Sequence, residues 1–223
     1  MEAPMQPWRT IDRVDTPEGP LELRQRGERD FLITIGGRVL MTSVAHRSED
    51  ALAEIACKAL PSGSQPRVLV GGLGMGYTLR AALDRLPPRA KVDLVDLNEA
   101  VVNWCGGPLA LLTDAALGDR RVSVEIADVS RVIAAAPAGS YDAILLDLYE
   151  GPHQATNRPN DPLYGATALE RTHRALRAGG VLAVWSEEVD RAYERRLEAA
   201  GFRVRTHRTR GGRTHVIYAA TTG

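Results

Sequence analysis

A single α/β domain on a mostly parallel, doubly wound sheet, with a small antiparallel β-meander ahead of it, is the architecture this sequence predicts. Three observations carry that prediction. From Val68 to Leu79 (VLVGGLGMGYTL) an apolar β-type run breaks into Gly71, Gly72, Gly74 and Gly76 and then opens a helical pattern. About 20 residues further on, a second apolar run, Val92 to Val95, ends in Asp96. Beyond it strand and helix patterns alternate, which yields parallel sheets covered by helices.

Taken in order, residues 1 to 20 are proline-rich and are expected to be irregular or peripheral. Leu21 to Gln25, Phe31 to Ile35 and Val39 to Thr42 are short β-type runs separated by glycine turns, which predicts the meander. Ser48 reads as an N-cap, with Glu49 and Asp50 favourable beside the helix dipole. That helix runs to Pro61, and PSGSQP (61–66) links it to the glycine strand. The expected division is therefore 1–60, meander and helix, and 61–223, the sheet domain. A helix follows from Tyr77 to Leu86, then the strand Val92 to Val95, then a helix from Glu99 that breaks at Gly106-Gly107-Pro108 and resumes to Leu112. Val122 to Ala127 is the third strand, with a helix to Ala135 behind it, and Tyr141 to Leu146 is the fourth. After the Gly151–Pro162 segment come a helix from Gly165 to Leu176, a Gly179-Gly180 cap, and the fifth strand, Val181 to Trp185. The helix Arg191 to Ala200 leads to a terminal hairpin, Val204–Arg208 and His215–Ala219, turned at Gly211-Gly212.

The 223 residues have room for one domain with a sizeable core and a small appendage. The 28 Lys and Arg balance the 28 Asp and Glu, so neither nucleic acid nor an anionic membrane is a default partner. No apolar run approaches the ~20 residues that cross a bilayer. The start, MEAPMQPWRT, lacks the charged and apolar regions of a secretory signal, so a cytoplasmic setting is expected. Cys57 and Cys105 fall in separate helical patterns and read as buried thiols, and no metal site is expected.

A strand that breaks into glycines brings backbone N–H groups within reach of a nucleotide-like ligand. Asp96, with Leu97 beside it, then stands where it can accept both ribose hydroxyls. The spacing argues against a dinucleotide, because the third position of G-x-G-x-x-G counted from Gly72 is Tyr77. Gly72, Gly74 and Gly76 instead form G-x-G-x-G, the turn typical of proteins that bind S-adenosylmethionine. A glycine turn without ligand is the plainer alternative, and the acid downstream speaks against it. Asp128 follows the third strand and can accept from the adenine amino group, with Ala127 and Val129 against the base, or it can simply cap the next helix.

Asp147 is the candidate for chemistry. It ends ILLDLYEGP, a strand too apolar to close on a charge without a use for it, and burial there raises its pKa toward that of a general base or amine anchor. The competing role is a loop-organising carboxylate. Tyr149 and Glu150 share its loop and can line an acceptor pocket, together with residues 40–50 and the rest of 149–164. His153 lies in the same loop as a second candidate base, and the long segment from Gly151 to Pro162 reads as a lid. His173, His207 and His215 read as packed or solvated residues.

These residues resemble the spermidine synthase (aminopropyltransferase) branch of the Rossmann-like class I S-adenosylmethionine-dependent transferases, from the meander through Val184. The family's GGGDGG loop corresponds to Gly71-Gly72-Leu73-Gly74-Met75-Gly76, its post-strand acid to Asp96, and its G-D to Ala127-Asp128. Its D-x-x-D-P corresponds to Asp147-Leu148-Tyr149-Glu150, with Pro152 shifted by one, and its L-[FY] and GGV to Leu163-Tyr164 and Gly179-Gly180-Val181. Two departures stand out. The resemblance implies that the family's loop aspartate binds the ammonium of decarboxylated S-adenosylmethionine; here that position is Gly74, which leaves room for a carboxylate. The family's polyamine-binding Q…D-E…Y-H-E falls on LMTSVAHRSEDA, Leu40 to Ala51, without the required types.

The expectation is an enzyme, a homodimer, that uses intact S-adenosylmethionine and transfers its methyl group to a small-molecule nucleophile. Gly71, Gly72, Gly74 and Gly76 would hold the amino-acid end, Asp96 and Leu97 the ribose side, Asp128 and Val129 the adenine, and Asp147, Tyr149 and Glu150 the acceptor. Aminopropyl or aminocarboxypropyl transfer to an amine is the second reading, and a non-catalytic S-adenosylmethionine-binding module the third.

Overall fold

The computed structural model describes residues 6–61, 63, 65–149, 151–152, 158, 160–209 and 214–223. Its first sheet is an antiparallel meander of β1 (Arg9–Thr16), β2 (Gly19–Arg26), β3 (Asp30–Ile35) and β4 (Arg38–Thr42), in that order. The stretch expected to be irregular thus contains a strand. It is hard to see in the sequence because β1 is an edge strand, exposed along most of its length, with Ile11 and Val14 as its only larger apolar residues. Side-chain burial does little for such a strand; pairing with β2 makes it, and Asp12 Oδ2 accepts the indole N–H of Trp104 at 2.6 Å.

α1 (Arg47–Lys58) follows. The predicted cap, Ser48, lies inside the first turn, and the capping position is His46, which makes no side-chain cap bond. Tertiary contact overrides the local cap: the His46 ring stacks on Tyr77 at 4.3 Å, and its Nδ1 meets Asp50 Oδ2 at 3.1 Å.

The second sheet takes β5 (Arg67–Gly71), β6 (Lys91–Asp96), β7 (Val122–Ile126), β8 (Tyr141–Leu146), β9 (Leu176–Ser186), β10 (Arg203–Arg208) and β11 (Val216–Thr221). Between them lie α2 (Tyr77–Arg85), α3 (Glu99–Gly106), two single 3₁₀ turns (Ala110–Leu112 and Ala116–Gly118), α4 (Val129–Ala135), α5 (Ala166–Ala175) and α6 (Arg191–Ala199). The order across the sheet is β10-β11-β9-β8-β5-β6-β7. Strands β5 to β9 run parallel, and β11 returns antiparallel to β9, with β10 antiparallel to it. This is a Rossmann-like α/β fold with its C-terminal hairpin at one edge. From β5 the chain winds outward through β6 and β7 on one side and through β8 and β9 on the other. The crevice beyond the carboxyl ends of β5 and β8 is therefore the switch point of the sheet.

Gly179-Gly180 does not cap α5. β9 already begins at Leu176, and its register to β8 jumps from Tyr141↔Leu176 to Ala143↔Val181. The glycines absorb that jump, with Gly179 at a φ of +75°. The predicted turn at Gly211-Gly212 lies outside the described residues.

Alternation along the strands sends residues to two cores. Val68, Val70, Ala143 and Leu145 pack on one face with α1 and α2, while Leu69, Ile144, Leu182 and Val184 pack on the other with α6. The meander joins the first core through Leu21, Leu23, Phe31, Ile33 and Ile35. Each such side chain contributes about 1.5–3 kcal/mol on burial, so the apolar face of the meander is held over the sheet edge.

Candidate functional site

Four carboxylates and the glycine turn meet at the switch point. A cavity of about 470 Å³ opens there, between the carboxyl ends of the parallel strands and the meander. The seam runs through Gly72. Its N–H donates to Val95 O at 2.9 Å, while Asp147 N–H donates to Gly71 O at 2.9 Å, stitching the turns after β6 and β8 to the end of β5. A Cβ on Gly72 would lie 2.3 Å from the Asp147 carbonyl oxygen, so only glycine fits. Gly72 and Gly74 line the cavity. Gly71 and Gly76 lie behind it: Gly71 is wedged between Leu146 and Val129, and Gly76 caps α2, where a Cβ would lie 3.4 Å from the Thr113 methyl.

Asp96 ties the turn down. Its Oδ2 accepts from Leu73 N–H and its Oδ1 from Asn98 N–H, both at 2.8 Å. Burial raises its pKa, and the two N–H bonds oppose the rise. Each oxygen keeps a lone pair for a further donor. Leu97 stands at the mouth, 69% exposed. Asp128 Oδ1 caps α4 through Ser130 N–H at 2.8 Å, and the residue also lines the cavity wall with Ala127 and Val129.

Asp147 lies beside the glycine turn, at the end of β8 where it pairs with β5. Its Oδ2 accepts from the Thr78 hydroxyl at 2.5 Å. Its pKa is raised to about 7, first by burial and then by the nearby carboxylate of Glu49, with the Thr78 bond working against both. Tyr149 lines the mouth half-exposed, its ring 5.8 Å from the Arg38 guanidinium. Glu150 and His153 fall outside the described residues, as does most of the segment expected to be a lid. The root of that segment is fixed, because a Cβ on Gly151 would lie 2.3 Å from Trp185 O and Ser186 Oγ donates to Pro152 O at 3.2 Å.

The sequence reading missed Thr78, Glu49 as a cavity residue, Trp185, and the meander side chains Leu21, Ile33 and Ile35. The sequence places Glu49 beside the helix dipole, and its position inside the 40–50 segment is the available signal of the cavity. One expectation is corrected. The room foreseen above Gly74 holds the Met41 thioether, whose sulfur would be 2.9 Å from a Gly74 Cβ and accepts Met75 N–H at 3.3 Å. Of the thiols, Cys105 is buried under the turn and donates to Gly74 O at 3.3 Å, whereas Cys57 is only half-buried. Among the described residues no group of three His, Cys, Asp or Glu side chains is placed to hold a metal ion. No described helix is long and apolar enough to cross a membrane.

Residues 46–196 match the sequence profile of the Spermine/spermidine synthase domain. The chain belongs to that family. Within the spermine/spermidine synthase domain family, it is similar to putrescine N-methyltransferase 4 of Nicotiana tabacum, 35% identical over 133 residues, which is 58% of this chain and 33% of that protein. It is also similar to the polyamine aminopropyltransferase of Prochlorococcus marinus (strain MIT 9313), 36% identical over 130 residues, 58% of this chain and 43% of that one. The matched stretch thus spans less than half the length of these curated relatives. The spermidine synthase structure from Thermotoga maritima superposes with a TM-score of 0.77 at 19% identity, covering 96% of this chain and 73% of that one, and shares the fold.

Proposed function

We propose that this chain is an S-adenosylmethionine-dependent transferase that methylates an amine nitrogen. The observation that carries the reading is Asp147: a buried carboxylate lining the cavity beside the glycine turn, pushed up to about 7 by burial and by Glu49. An acceptor amine is an ammonium ion in water and must lose a proton before its nitrogen can attack. A carboxylate poised near neutrality holds the ammonium when charged and is matched to take that proton.

The residues present fit an adenosyl ligand. Asp96 keeps acceptor capacity for two ribose hydroxyls, Gly72 and Gly74 leave backbone open to the cavity, and Ala127, Val129 and Asp128 offer an apolar wall with a polar edge. S-adenosylmethionine would supply a carbon activated by a positive sulfur. The protein's own work is then to align the nitrogen with that carbon, exclude water through the apolar meander face, and receive the nitrogen's proton at Asp147. The intact form is favoured over the decarboxylated one because no carboxylate side chain stands at position 74 to draw an ammonium.

Aminopropyl transfer is the second reading, supported by the Prochlorococcus marinus relative and its name. Competition binding with intact and decarboxylated S-adenosylmethionine separates the two, and the mass of the product on an amine acceptor identifies the group moved. Gly74→Asp, made together with Met41→Ala to clear its side chain, should swing the affinity ratio by about 100-fold toward the decarboxylated form. A wild-type chain that already prefers the decarboxylated form replaces methyl transfer by aminopropyl transfer.

A further inference from the structure

The peptide between Gly74 and Met75 is held in one orientation from beneath the glycine turn. Its carbonyl oxygen accepts the Cys105 thiol at 3.3 Å. Burial pushes that thiol up to about 12, so it keeps its proton and remains a donor. A trans peptide sends its N–H the opposite way from its C=O. The Met75 N–H is therefore turned away from Cys105, and it meets the Met41 thioether at 3.3 Å. The neighbouring Gly74 N–H donates to none of the described residues.

Met41 reaches that spot through an irregularity in its strand. Successive residues of a strand face opposite ways, yet Leu40 and Met41 both line the cavity. The register of β4 on β3 explains it: Ile33 pairs with Met41 and Thr34 with Val39, so Leu40 is an extra, bulged residue. The Met41 sulfur would stand 2.9 Å from a Cβ on Gly74, and so fills the space over the turn. Thioether sulfur is a weak acceptor, and a Met side chain, unbranched and with three rotatable bonds, is readily moved. A backbone donor at the edge of the cavity is thus covered by a poor and movable acceptor.

We propose that Met41 is a placeholder at the turn for the amino-acid end of the cofactor: the carboxylate of intact S-adenosylmethionine displaces its sulfur and takes the Met75 N–H in its place. The inference rests on the S-adenosylmethionine reading above and adds a residue by which the turn tells ligands apart. A carboxylate exchanges the weak bond for a charge-assisted one. A ligand whose end carries no acceptor displaces the sulfur only by leaving that N–H without a partner, which costs affinity.

The test is calorimetry on the full chain with two probes: S-adenosylhomocysteine, which carries the amino-acid end, and methylthioadenosine, which stops at a methyl group on the sulfur. Met41→Ala removes the placeholder, so S-adenosylhomocysteine should bind about 5-fold tighter or more, while methylthioadenosine stays within about two-fold. In the wild-type chain with isotope-labelled methionine methyl groups, the Met41 resonance, assigned by its absence in Met41→Leu, should move when S-adenosylhomocysteine binds and move far less with methylthioadenosine. Where Met41→Ala weakens both ligands alike, the variant's fold is damaged and the wild-type resonance decides. S-adenosylhomocysteine binding that is unchanged or selectively weakened in Met41→Ala, or a Met41 resonance indifferent to that ligand, overturns the proposal and leaves the cofactor reading standing. Failure of both ligands to bind either chain overturns the cofactor reading, and the placeholder with it.

Discussion

On the side of the cavity proposed for the nucleoside, the protein's own backbone already answers the carboxylates. Asp96 takes two N–H bonds and Asp128 one, so these groups stand in place before any ligand arrives. On the side proposed for the acceptor, Asp147 and Glu49 take one hydroxyl each and sit among apolar side chains. The first arrangement is preorganised and presents lone pairs to hydroxyl and amino groups; the second is held at an electrostatic cost that a cation would relieve. The contrast teaches that the two halves are suited to different physics of recognition. One offers oriented acceptors to a neutral ligand face, and the other offers an unneutralised charge.

The hardest blow to this division is Gly72→Ala, at the seam. Its Cβ meets the Asp147 carbonyl oxygen and its φ is +88°, so we expect a stability loss of ~4 kcal/mol in urea denaturation. Gly37→Ala has a φ of +80° but nothing within 4 Å of its Cβ, and should cost only ~1 kcal/mol. Equal losses would show that backbone strain alone, rather than the close approach of the two turns, makes Gly72 necessary.

Asp147→Asn sharpens the comparison by moving activity and stability in opposite directions. Turnover should fall by ~100-fold, the scale of a positioned base. The folded chain holds the Asp147 proton up to about pH 7, against an ordinary carboxyl value of 3.8. The folded state therefore binds more protons than the unfolded state between those limits. The stability this brings is full below the lower limit and is lost as pH rises through the upper one. The neutral variant escapes that loss, so it should match wild type near pH ~3 and be the more stable near pH ~8. Wild-type kcat/KM should climb through about pH 7, with the climb absent in Asp147→Asn. A variant less stable than wild type in mild alkali would mean that Asp147 organises its loop instead.

Asp96→Ala acts on the preorganised half. S-adenosylhomocysteine affinity should fall by ~2–3 kcal/mol in calorimetry, because a charged acceptor is lost and the Leu73 and Asn98 N–H groups lose theirs. Unchanged affinity would remove the ribose assignment. The smallest effect belongs to Thr78→Val, ~1 kcal/mol in stability for the lost hydroxyl bond. Since that bond lowers the Asp147 pKa, the midpoint of the pH–rate profile should move upward, and a downward shift would contradict the arrangement.

The difference between the halves also explains what was legible. Gly72, Gly74, Asp96 and Asp128 follow strand ends at short, regular spacings, so their convergence on the cavity can be read from the chain. Asp147 declared itself by closing an apolar run with a charge. Glu49 did not, because an acid in a first helical turn is ordinary there, and only the packing of α1 beside α2 turns it toward Asp147. Met41 over Gly74, and Leu21 and Ile33 on the wall, depend on how the meander lies across the sheet edge, which no local pattern encodes.

By itself, the sequence determined the parallel sheet, its glycine turn and the acids at its carboxyl edge, because strand periodicity, glycine's access to positive φ and short-range spacing are local properties. The tertiary structure decided β1, the start of α1, the bulge at Gly179-Gly180 and the approach of Glu49 and the meander to Asp147. Each of these depends on partners distant in the chain, where burial and pairing with another element outweigh local preference.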